Sequence, residues 1–208
     1  MFDVVVNVTS VSTVDPEVIF VKYHSVLPMS EYIAHAVKVE VSGRSMSEPL
    51  QDVILCSLLD WYLEDSVVAE PSFVVHVVSP ERTFIEKMLL LHEEFTKPLS
   101  DVRTERMSRH LYDLYRMSQT NIAANALADV GLYHAVMEHR RKFIGLKGFD
   151  YDTLQPSRLS LEIPADVLTL WKTDYEKMCR TMIYGETPTW NELMATMKEL
   201  QEKVRKIS

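Results

Sequence analysis

Two stretches of the sequence place charged side chains beside apolar ones at helical spacing. Thr83 and Lys87 lie one turn apart, so they predict an ammonium group at the border of an otherwise apolar helix. Arg109, Asp113 and Arg116 share a face of a second helix, opposite its apolar residues. Cations of this kind can bind phosphate, and carboxylates can hold a metal ion or accept a proton. Spacing alone favours a simpler interpretation, an ion pair between Arg109 and Asp113 worth about 0.2–0.5 kcal/mol.

A search for chemical motifs removes several classes of enzyme. The sequence has no glycine-rich phosphate loop, no G-x-S-x-G, no H-E-x-x-H and no paired C-x-x-C, and it contains five glycines. His134 and Glu138 share a helix face, but a closed zinc site needs four ligands. Asp150 and Asp152 have the spacing of a Mg²⁺-chelating pair, although the glycine and proline around them favour a turn. We therefore predict no metal ligands from these motifs.

Length and composition are those of a folded protein. The 208 residues are 47% hydrophobic and 25% charged, which allows one sizeable core or two small ones. The formal charge of -8 excludes a surface that is positively charged throughout, so binding of nucleic acid depends on local basic patches. Two clusters of basic residues are candidates for such a patch, and the alternative interpretation of each is a solvated helix face. They are Arg103, Arg106, Arg109 and Arg116, and then Arg140, Arg141, Lys142 and Lys147.

The expected location is cytoplasmic, with no membrane association. No run of eighteen apolar residues occurs, and residues 1–8 have neither a basic region nor a small-residue cleavage site. Cys56 and Cys179 lie far apart in apolar surroundings. We expect them to be buried free thiols in a reducing compartment.

The first part of the chain reads as a sheet with one helix. β-branched residues dominate three predicted strands, and a helical spacing of apolar residues follows them. Valines alternate with charged residues in the third strand, so Glu40 is predicted on the face opposite the valines. A fourth, almost continuous apolar strand predicts burial on both faces. The strands are predicted at residues 3–11, 18–23, 35–42 and 73–78, and the helix at 50–63.

The rest of the chain reads as helical. Ser79, Pro80 and Glu81 form a helix-start signature, with Ser79 as the N-cap. The predicted helices are 80–95, 103–118, 122–129, 130–143, 165–184 and 189–206, separated by turn residues. The fold class is therefore α+β, with an α/β portion at residues 1–79 followed by a helical carboxy-terminal domain at residues 80–208.

Several of these segments together resemble the AbiEii/AbiGii toxin family of nucleotidyltransferase-fold proteins. The resemblance lies in V-K-V-E-V-S-G-R-S-M-S-E-P, R-T-F-I-E-K and S-R-H-L-Y-D-L, and it continues to the segment M-I-Y-G at residues 182–185. It implies a partial nucleotidyltransferase-like mixed sheet with flanking helices, followed by the helical domain. It also implies a toxin of a toxin–antitoxin or phage-defence pair that transfers a nucleotide to an acceptor, which is tRNA for some relatives.

The resemblance also implies roles for individual residues. Lys87 matches the helix lysine that meets the triphosphate of the incoming nucleotide, and Asp113 matches a later aspartate. Glu40 corresponds to a strand acid that can activate the acceptor hydroxyl. Arg109 is expected to contact phosphate, and Thr83 to join the substrate site. Mg²⁺ and a nucleoside triphosphate are the implied cofactors if the catalytic half is supplied elsewhere.

The sequence departs from the family pattern before Glu40. Family members carry a Gly-Gly or Gly-Ser turn and an Asp-x-Asp pair that binds two metal ions, and no such segment precedes Glu40 here. We therefore expect an amino-terminally truncated, inactive member. Three hypotheses stay open: a split toxin component, a non-catalytic binding module of the same fold, and a structural protein of similar architecture. The expected partners are a cognate antitoxin, tRNA or another nucleic acid, and further copies of the chain, because missing strands expose a sheet edge.

Overall fold

Five strands precede a set of helices in the part of the chain that the structure describes. The structure is a computed structural model, and it describes residues 3–7, 17–26, 28, 35–58, 60, 62 and 71–207. Strands β1 (Asp3–Asn7), β2 (Glu17–Lys22) and β3 (Ala36–Val41) form an antiparallel sheet in that order. Strands β4 (Leu50–Leu55) and β5 (Phe73–Val78) form a second antiparallel sheet. Residues 8–11 of the first predicted strand lie outside the described residues.

The pairing of β2 with β3 fixes the position of Glu40. Val18 lies opposite Glu40 and Phe20 lies opposite Lys38. Because side chains alternate along a strand, Lys38 and Glu40 share one face of β3 and the valines share the other, as predicted. All pairings among the described strands are antiparallel, so the mixed sheet implied by the resemblance is not found among them.

The helix predicted at residues 50–63 is wrong over its first half. Residues 50–55 form β4, and their partners lie in β5, 18 to 28 positions along the chain. One cross-strand pair is polar, with Asp52 Oδ1 2.5 Å from His76 Nδ1. Local apolar spacing predicts a helix, whereas pairing with a distant strand supplies the backbone hydrogen bonds of a sheet. Residues 59, 61 and 63 of the predicted helix lie outside the described residues.

Strand β5 has the predicted bounds but not the predicted burial. Phe73 is 58% exposed and Val74 is 60% exposed, although their side chains point to opposite faces. A sheet of two strands cannot bury both of its faces unless other elements cover them. Cys56, which follows β4, is likewise exposed rather than buried, and Cys179 is half-buried; neither forms a disulfide bond.

Five of the six helices begin within one residue of the predicted start, whereas the second begins later, at Ser108. Helix α1 has the predicted bounds, and the Ser79 side chain accepts a hydrogen bond from the Arg82 N–H at 3.2 Å, which confirms the N-cap. A π-helical turn, Arg140–Ile144, continues the fourth helix where an α-helix was predicted. The helices are α1 (Pro80–Phe95), α2 (Ser108–Ser118), α3 (Asn121–Ala128), α4 (Val130–His139), α5 (Ala165–Thr181) and α6 (Trp190–Val204). No described helix is long and apolar enough to cross a membrane.

The hydrophobic core lies among the helices. Phe84, Leu111, Tyr133, Trp171 and Leu193 come from five different helices and are fully buried. The rings of Phe95 and Trp171 pack edge to face, with centroids 4.9 Å apart. Helix α1 lies at the centre of this core and contacts α2, α3 and α4. The central helix therefore carries Lys87 at a fixed position relative to α2.

Candidate nucleotide-binding site

The ammonium group of Lys87 meets the carboxylate of Asp113 between α1 and α2. The Nζ atom lies 2.8 Å from Asp113 Oδ2. The Lys87 side chain is 22% exposed and the Asp113 side chain is 41% exposed, so the pair opens to solvent. The structure thus brings together two residues that lie 26 positions apart in sequence. The interpretation from spacing alone was wrong, because Asp113 pairs with Lys87 rather than with Arg109.

Arg109 lies one helical turn before Asp113 on α2. Its side chain is exposed, and no described residue forms a hydrogen bond or an ion pair with its guanidinium group. Lys87, Arg109 and Asp113 together carry one net positive charge at neutral pH. This corner of the molecule therefore offers one paired cation and one available cation to an anionic ligand.

Thr83 lies one turn before Lys87 on α1, as predicted. Its hydroxyl group donates a hydrogen bond to the Ser79 carbonyl oxygen at 3.1 Å. That bond belongs to the first turn of the helix. The Thr83 hydroxyl is therefore engaged with the backbone, and its oxygen retains the capacity to accept a further hydrogen bond.

His110 is a residue of this site that the sequence analysis missed. Its Nδ1 atom is buried without a hydrogen-bond partner among the described residues. Burial lowers the pKa of the imidazole from 6.5 to about 4, and the charges of Lys87 and Arg109 add to this effect, while Asp113 opposes it. His110 is therefore neutral at pH 7. Its place in S-R-H-L-Y-D-L, directly after Arg109, was the available signal.

The start of α2 is held by a residue of α5. Asp174 accepts hydrogen bonds from the Arg106 N–H at 2.7 Å, the Ser108 N–H at 3.0 Å and the Ser108 hydroxyl at 2.5 Å. The helix predicted from residue 103 begins instead at Ser108, because Arg106 adopts a left-handed backbone with φ of 57°. A carboxylate at a helix N-terminus also matches the helix dipole. Asp174 thereby fixes the helix that carries Arg109 and Asp113.

Glu40 forms no contact with the Lys87–Asp113 pair. Its carboxylate lies 2.6 Å from the Lys38 ammonium group on the same face of β3, and both side chains are about half exposed. It forms no hydrogen bond or ion pair with Lys87 or Asp113. The structure therefore joins two of the three predicted catalytic residues and leaves the third with a different partner.

The described residues do not fit a bound metal ion. Among them, no three His, Cys, Asp or Glu side chains lie close enough to hold one. Asp150 and Asp152 form a turn, in which Asp150 accepts a hydrogen bond from the Asp152 N–H at 3.0 Å. Asp152 also pairs with Arg141 at 2.8 Å. These acids therefore serve local structure, as the sequence favoured.

Part of the positive charge in the two basic clusters is paired within the chain. Arg103 Nη2 lies 2.6 Å from Glu94 Oε2, and the Glu94 side chain is almost fully buried. Arg140 Nε donates to Glu93 Oε1 at 2.7 Å in a second, largely buried pair. These pairs stabilise the contacts of α1 with its neighbours. They reduce the net charge that either cluster presents to nucleic acid.

A second feature lies on a neighbouring face of α1. A cleft of about 340 Å³ opens between the β3–β4 connection, α1 and the end of α4. We name it the arginine cleft, because three arginines line it. Its lining residues include Arg44, Ser42, Ser45, Arg82, Glu86, His139, Arg140 and Phe143. Arg140 belongs to a basic cluster in the sequence, but its position in the sequence does not connect it with Arg44 or Arg82.

A protein-family model matches almost the whole chain. The model is described as nucleotidyl transferase AbiEii toxin, type IV TA system, and it matches residues 2–204. Searches of curated proteins and of solved structures give no significant match. The matched range includes α1 with Lys87 and α2 with Asp113, so the resemblance inferred from the sequence is confirmed. The chain belongs to the AbiEii family of nucleotidyltransferase toxins of type IV toxin–antitoxin systems.

Proposed function

We propose that the chain binds the triphosphate of a nucleoside triphosphate at Lys87 and Arg109, as part of a toxin that transfers a nucleotide to an acceptor such as tRNA. The observation that carries the proposal is the ion pair of Lys87 with Asp113, which links α1 to α2 at 2.8 Å. The family identity supplies the reaction class. A cognate antitoxin is the expected protein partner.

Charge and exposure support a phosphate ligand at this position. Nucleotidyl transfer depends on positioning the phosphates and on neutralising their charge. The Lys87 ammonium group has three donors, of which Asp113 engages one, and the Arg109 guanidinium group has five. Asp113 holds the ammonium group at the border of the core, where the surrounding apolar residues strengthen its field. His110, which directly follows Arg109, is neutral at pH 7 and therefore does not change the net charge of the site.

Glu40 and Mg²⁺ have separate roles in the proposed reaction. Glu40 can accept the proton of an acceptor hydroxyl once its ion pair with Lys38 opens. Mg²⁺ would neutralise phosphate charge in the complete reaction, but the described residues supply no cluster of ligands for it. We therefore propose that the chain alone binds nucleotide but transfers it poorly. A second component that carries the metal-binding acids completes the enzyme.

A non-catalytic binding module is the second candidate function. It is favoured by the same two observations, the pairing of Glu40 with Lys38 and the lack of an acid cluster among the described residues. Both candidates bind nucleotide, so binding alone does not separate them. The two candidates are separated by measuring the transfer of radiolabelled nucleotide to total tRNA, with and without lysate of the native host. Transfer only in the presence of lysate supports a split toxin.

Calorimetric titration with each of the four nucleoside triphosphates, with and without Mg²⁺, tests the proposed site. Lys87→Ala is expected to abolish binding, and Arg109→Ala to weaken it about tenfold, the effect of losing one charge-assisted contact. Lys203→Ala is the control, because Lys203 is also a lysine in an ion pair, with Glu199, but lies on α6. Unchanged binding by Lys87→Ala would contradict the proposal. A large loss of thermal stability in that variant would instead assign Lys87 a structural role.

A further inference from the structure

We propose that the arginine cleft binds the sugar–phosphate backbone of a single nucleic-acid strand, the acceptor strand of the proposed transfer. This inference rests on the proposed function and adds a second subsite to it. The cleft combines guanidinium groups and serine hydroxyls with an exposed aromatic ring. Those are the groups that bind single strands, in which cations follow the phosphates and aromatic rings stack on bases.

The buried arginines of the cleft are oriented by acids and keep free donors. Arg82 Nε donates to Glu86 Oε1 at 2.9 Å, and its side chain is only 3% exposed. Arg140 contacts Glu93 through Nε and Nη2, which leaves its Nη1 group without a partner among the described residues. Arg82 Nη1 also donates to the Glu48 carbonyl oxygen at 3.5 Å. A guanidinium group has five donors in a fixed plane, so these contacts fix the plane of each group and leave the remaining N–H groups for phosphate. Arg44, at the exposed side, adds a third guanidinium group.

The aromatic part of the cleft is a stacked pair. The rings of His139 and Phe143 lie 4.8 Å apart with an angle of 26° between their planes. Phe143 is 50% exposed, so it offers surface to a further ring. A base placed on Phe143 extends the stack. This arrangement is sequence-tolerant, because every base has a flat face.

The stacked pair of His139 and Phe143 lies where α4 continues into the π-helical turn. Residues four apart share one face of a helix, so His139, at the end of α4, stacks on Phe143, in the π-helical turn Arg140–Ile144. Such π-helical turns are uncommon and occur frequently at functional sites. The turn ends at Gly145, whose φ of 56° suits glycine. The π-helical turn therefore contributes both Arg140 and the exposed ring of Phe143 to the cleft.

The cleft and the Lys87 site share two turns of α1. Arg82 and Glu86 line the cleft, and Thr83 and Lys87 follow them directly in the same two turns of α1. Successive residues of a helix point about 100° apart, so the two sites occupy neighbouring faces. A strand in the cleft can thus present its terminal hydroxyl toward a nucleotide at Lys87.

Fluorescence anisotropy with labelled oligonucleotides tests the subsite on the full chain. The probes are a uridine 12-mer and a thymidine 12-mer, which separate RNA from DNA. Wild-type binding is expected to weaken as salt rises, because phosphate contacts release counterions. Phe143→Ala is expected to weaken binding about tenfold, since it removes a stacking surface, whereas Phe143→Tyr retains the ring and stays within about twofold. Arg44→Ala is expected to weaken binding and to reduce the salt slope by about one.

Arg180→Ala provides the matched control, because Arg180 is an exposed arginine on α5 outside the cleft. It is expected to bind like wild type. No binding of either probe at about 100 μM protein, the weak end of non-specific affinity, overturns the inference. Equal weakening by Arg180→Ala and Arg44→Ala also overturns it, since a diffuse charge effect then suffices.

Nucleotide titration separates this inference from the proposed function. Phe143→Ala and Arg44→Ala are expected to bind nucleoside triphosphate like wild type, and Lys87→Ala is expected to bind the 12-mers like wild type. If Lys87→Ala retains nucleotide binding, the proposed function fails while the strand subsite stands. If the cleft variants bind the 12-mers normally, the subsite fails while the nucleotide site stands.

Discussion

The helices and the strands of this chain differ in what they do with apolar side chains. Helices α1 to α6 bury a continuous core that includes Phe84 and Trp171. The strands leave large apolar residues exposed on both sheets, including Val39, Ile54 and Phe73. Burial of apolar surface is the main favourable contribution to folding. The helical part therefore carries most of the stability, and the strands depend on it or on a further partner.

This difference bears on where the chemistry lies. Lys87, Asp113 and His110 belong to helices with a packed core, so their relative positions are rigid. Glu40 lies on a strand whose neighbours are exposed. A site that needs fixed geometry is therefore well supported on the helical side. On the strand side, further contacts are required before Glu40 can hold a position relative to Lys87.

Substitution of matched phenylalanines gives the largest expected contrast. Phe84 is fully buried in α1, and Phe73 is 58% exposed in β5. Phe84→Ala is expected to lower the free energy of unfolding by about 3–5 kcal/mol, through lost transfer energy and a cavity. Phe73→Ala is expected to lower it by less than about 1 kcal/mol. Urea unfolding followed by circular dichroism measures both.

Similar losses in the two variants would contradict the comparison. They would mean that β5 packs against another surface under the conditions of the experiment. Repeating the Phe73→Ala measurement at several protein concentrations resolves that case, since an effect that disappears on dilution points to a second copy of the chain.

Loss of the cap on α2 is expected to have the next largest effect. Asp174→Ala removes three hydrogen bonds and leaves the buried Ser108 hydroxyl without its acceptor. The expected loss is about 2–3 kcal/mol. Because α2 carries Arg109 and Asp113, nucleotide binding should weaken as well. Urea unfolding and calorimetry check the two effects.

Glu176→Ala is the control for the cap. Glu176 is an exposed acid on the same helix, and its ion pair with Lys172 spans 4.0 Å. Its removal is expected to change stability by less than about 0.5 kcal/mol. If both variants behave alike, Asp174 is not acting as a cap, and the left-handed turn at Arg106 must have another support.

Acid pH is expected to destabilise the helical part through His110. Its folded-state pKa of about 4 lies below the ordinary value of 6.5, first because of burial and then because of Lys87 and Arg109. The unfolded state therefore takes up a proton first as the pH falls. The contribution of His110 to the free energy of unfolding is complete above pH 6.5. It is lost between pH 6.5 and about pH 4, and the loss amounts to roughly 2–3 kcal/mol. Burial also lowers the pKa of His92, so that residue acts in the same direction.

The pH dependence is measured by urea unfolding of wild type and His110→Gln at pH 7.5 and pH 4.5. The variant cannot titrate, so its loss of stability between the two pH values should be smaller than that of wild type. Equal losses would show that His92 or the carboxylates account for the acid sensitivity.

The sequence predicts local features well and distant partners poorly. The bounds of α1 and its Ser79 cap follow from neighbouring residues, and the structure confirms both. The strand β4 was missed because its partner lies in β5, and spacing within residues 50–63 contains no sign of that partner. The late start of α2 was missed for the same reason, since Asp174 lies 66 positions after Ser108. Tertiary contacts override local preference at both places.

The candidate site shows the same division. The resemblance to the family selected Lys87 and Asp113, and the structure joins them, although spacing alone favoured Arg109 as the partner of Asp113. His110 was missed because its importance comes from burial, which a single sequence does not display. The arginine cleft was missed because Arg44, Arg82 and Arg140 come from three separate elements.

The smallest expected effect on stability comes from the exposed sheet of β4 and β5. Ile54 is 71% exposed in β4, so Ile54→Thr should change the free energy of unfolding by less than about 0.5 kcal/mol. We expect the apolar sheet surfaces to drive self-association, and the same substitution should therefore weaken it. Leu170→Thr, at a 54% exposed apolar residue on α5, is expected to leave association unchanged. Sedimentation velocity at tens of micromolar protein measures both variants. A monomeric wild-type chain would contradict the expectation, and the exposed strands would then need a different partner.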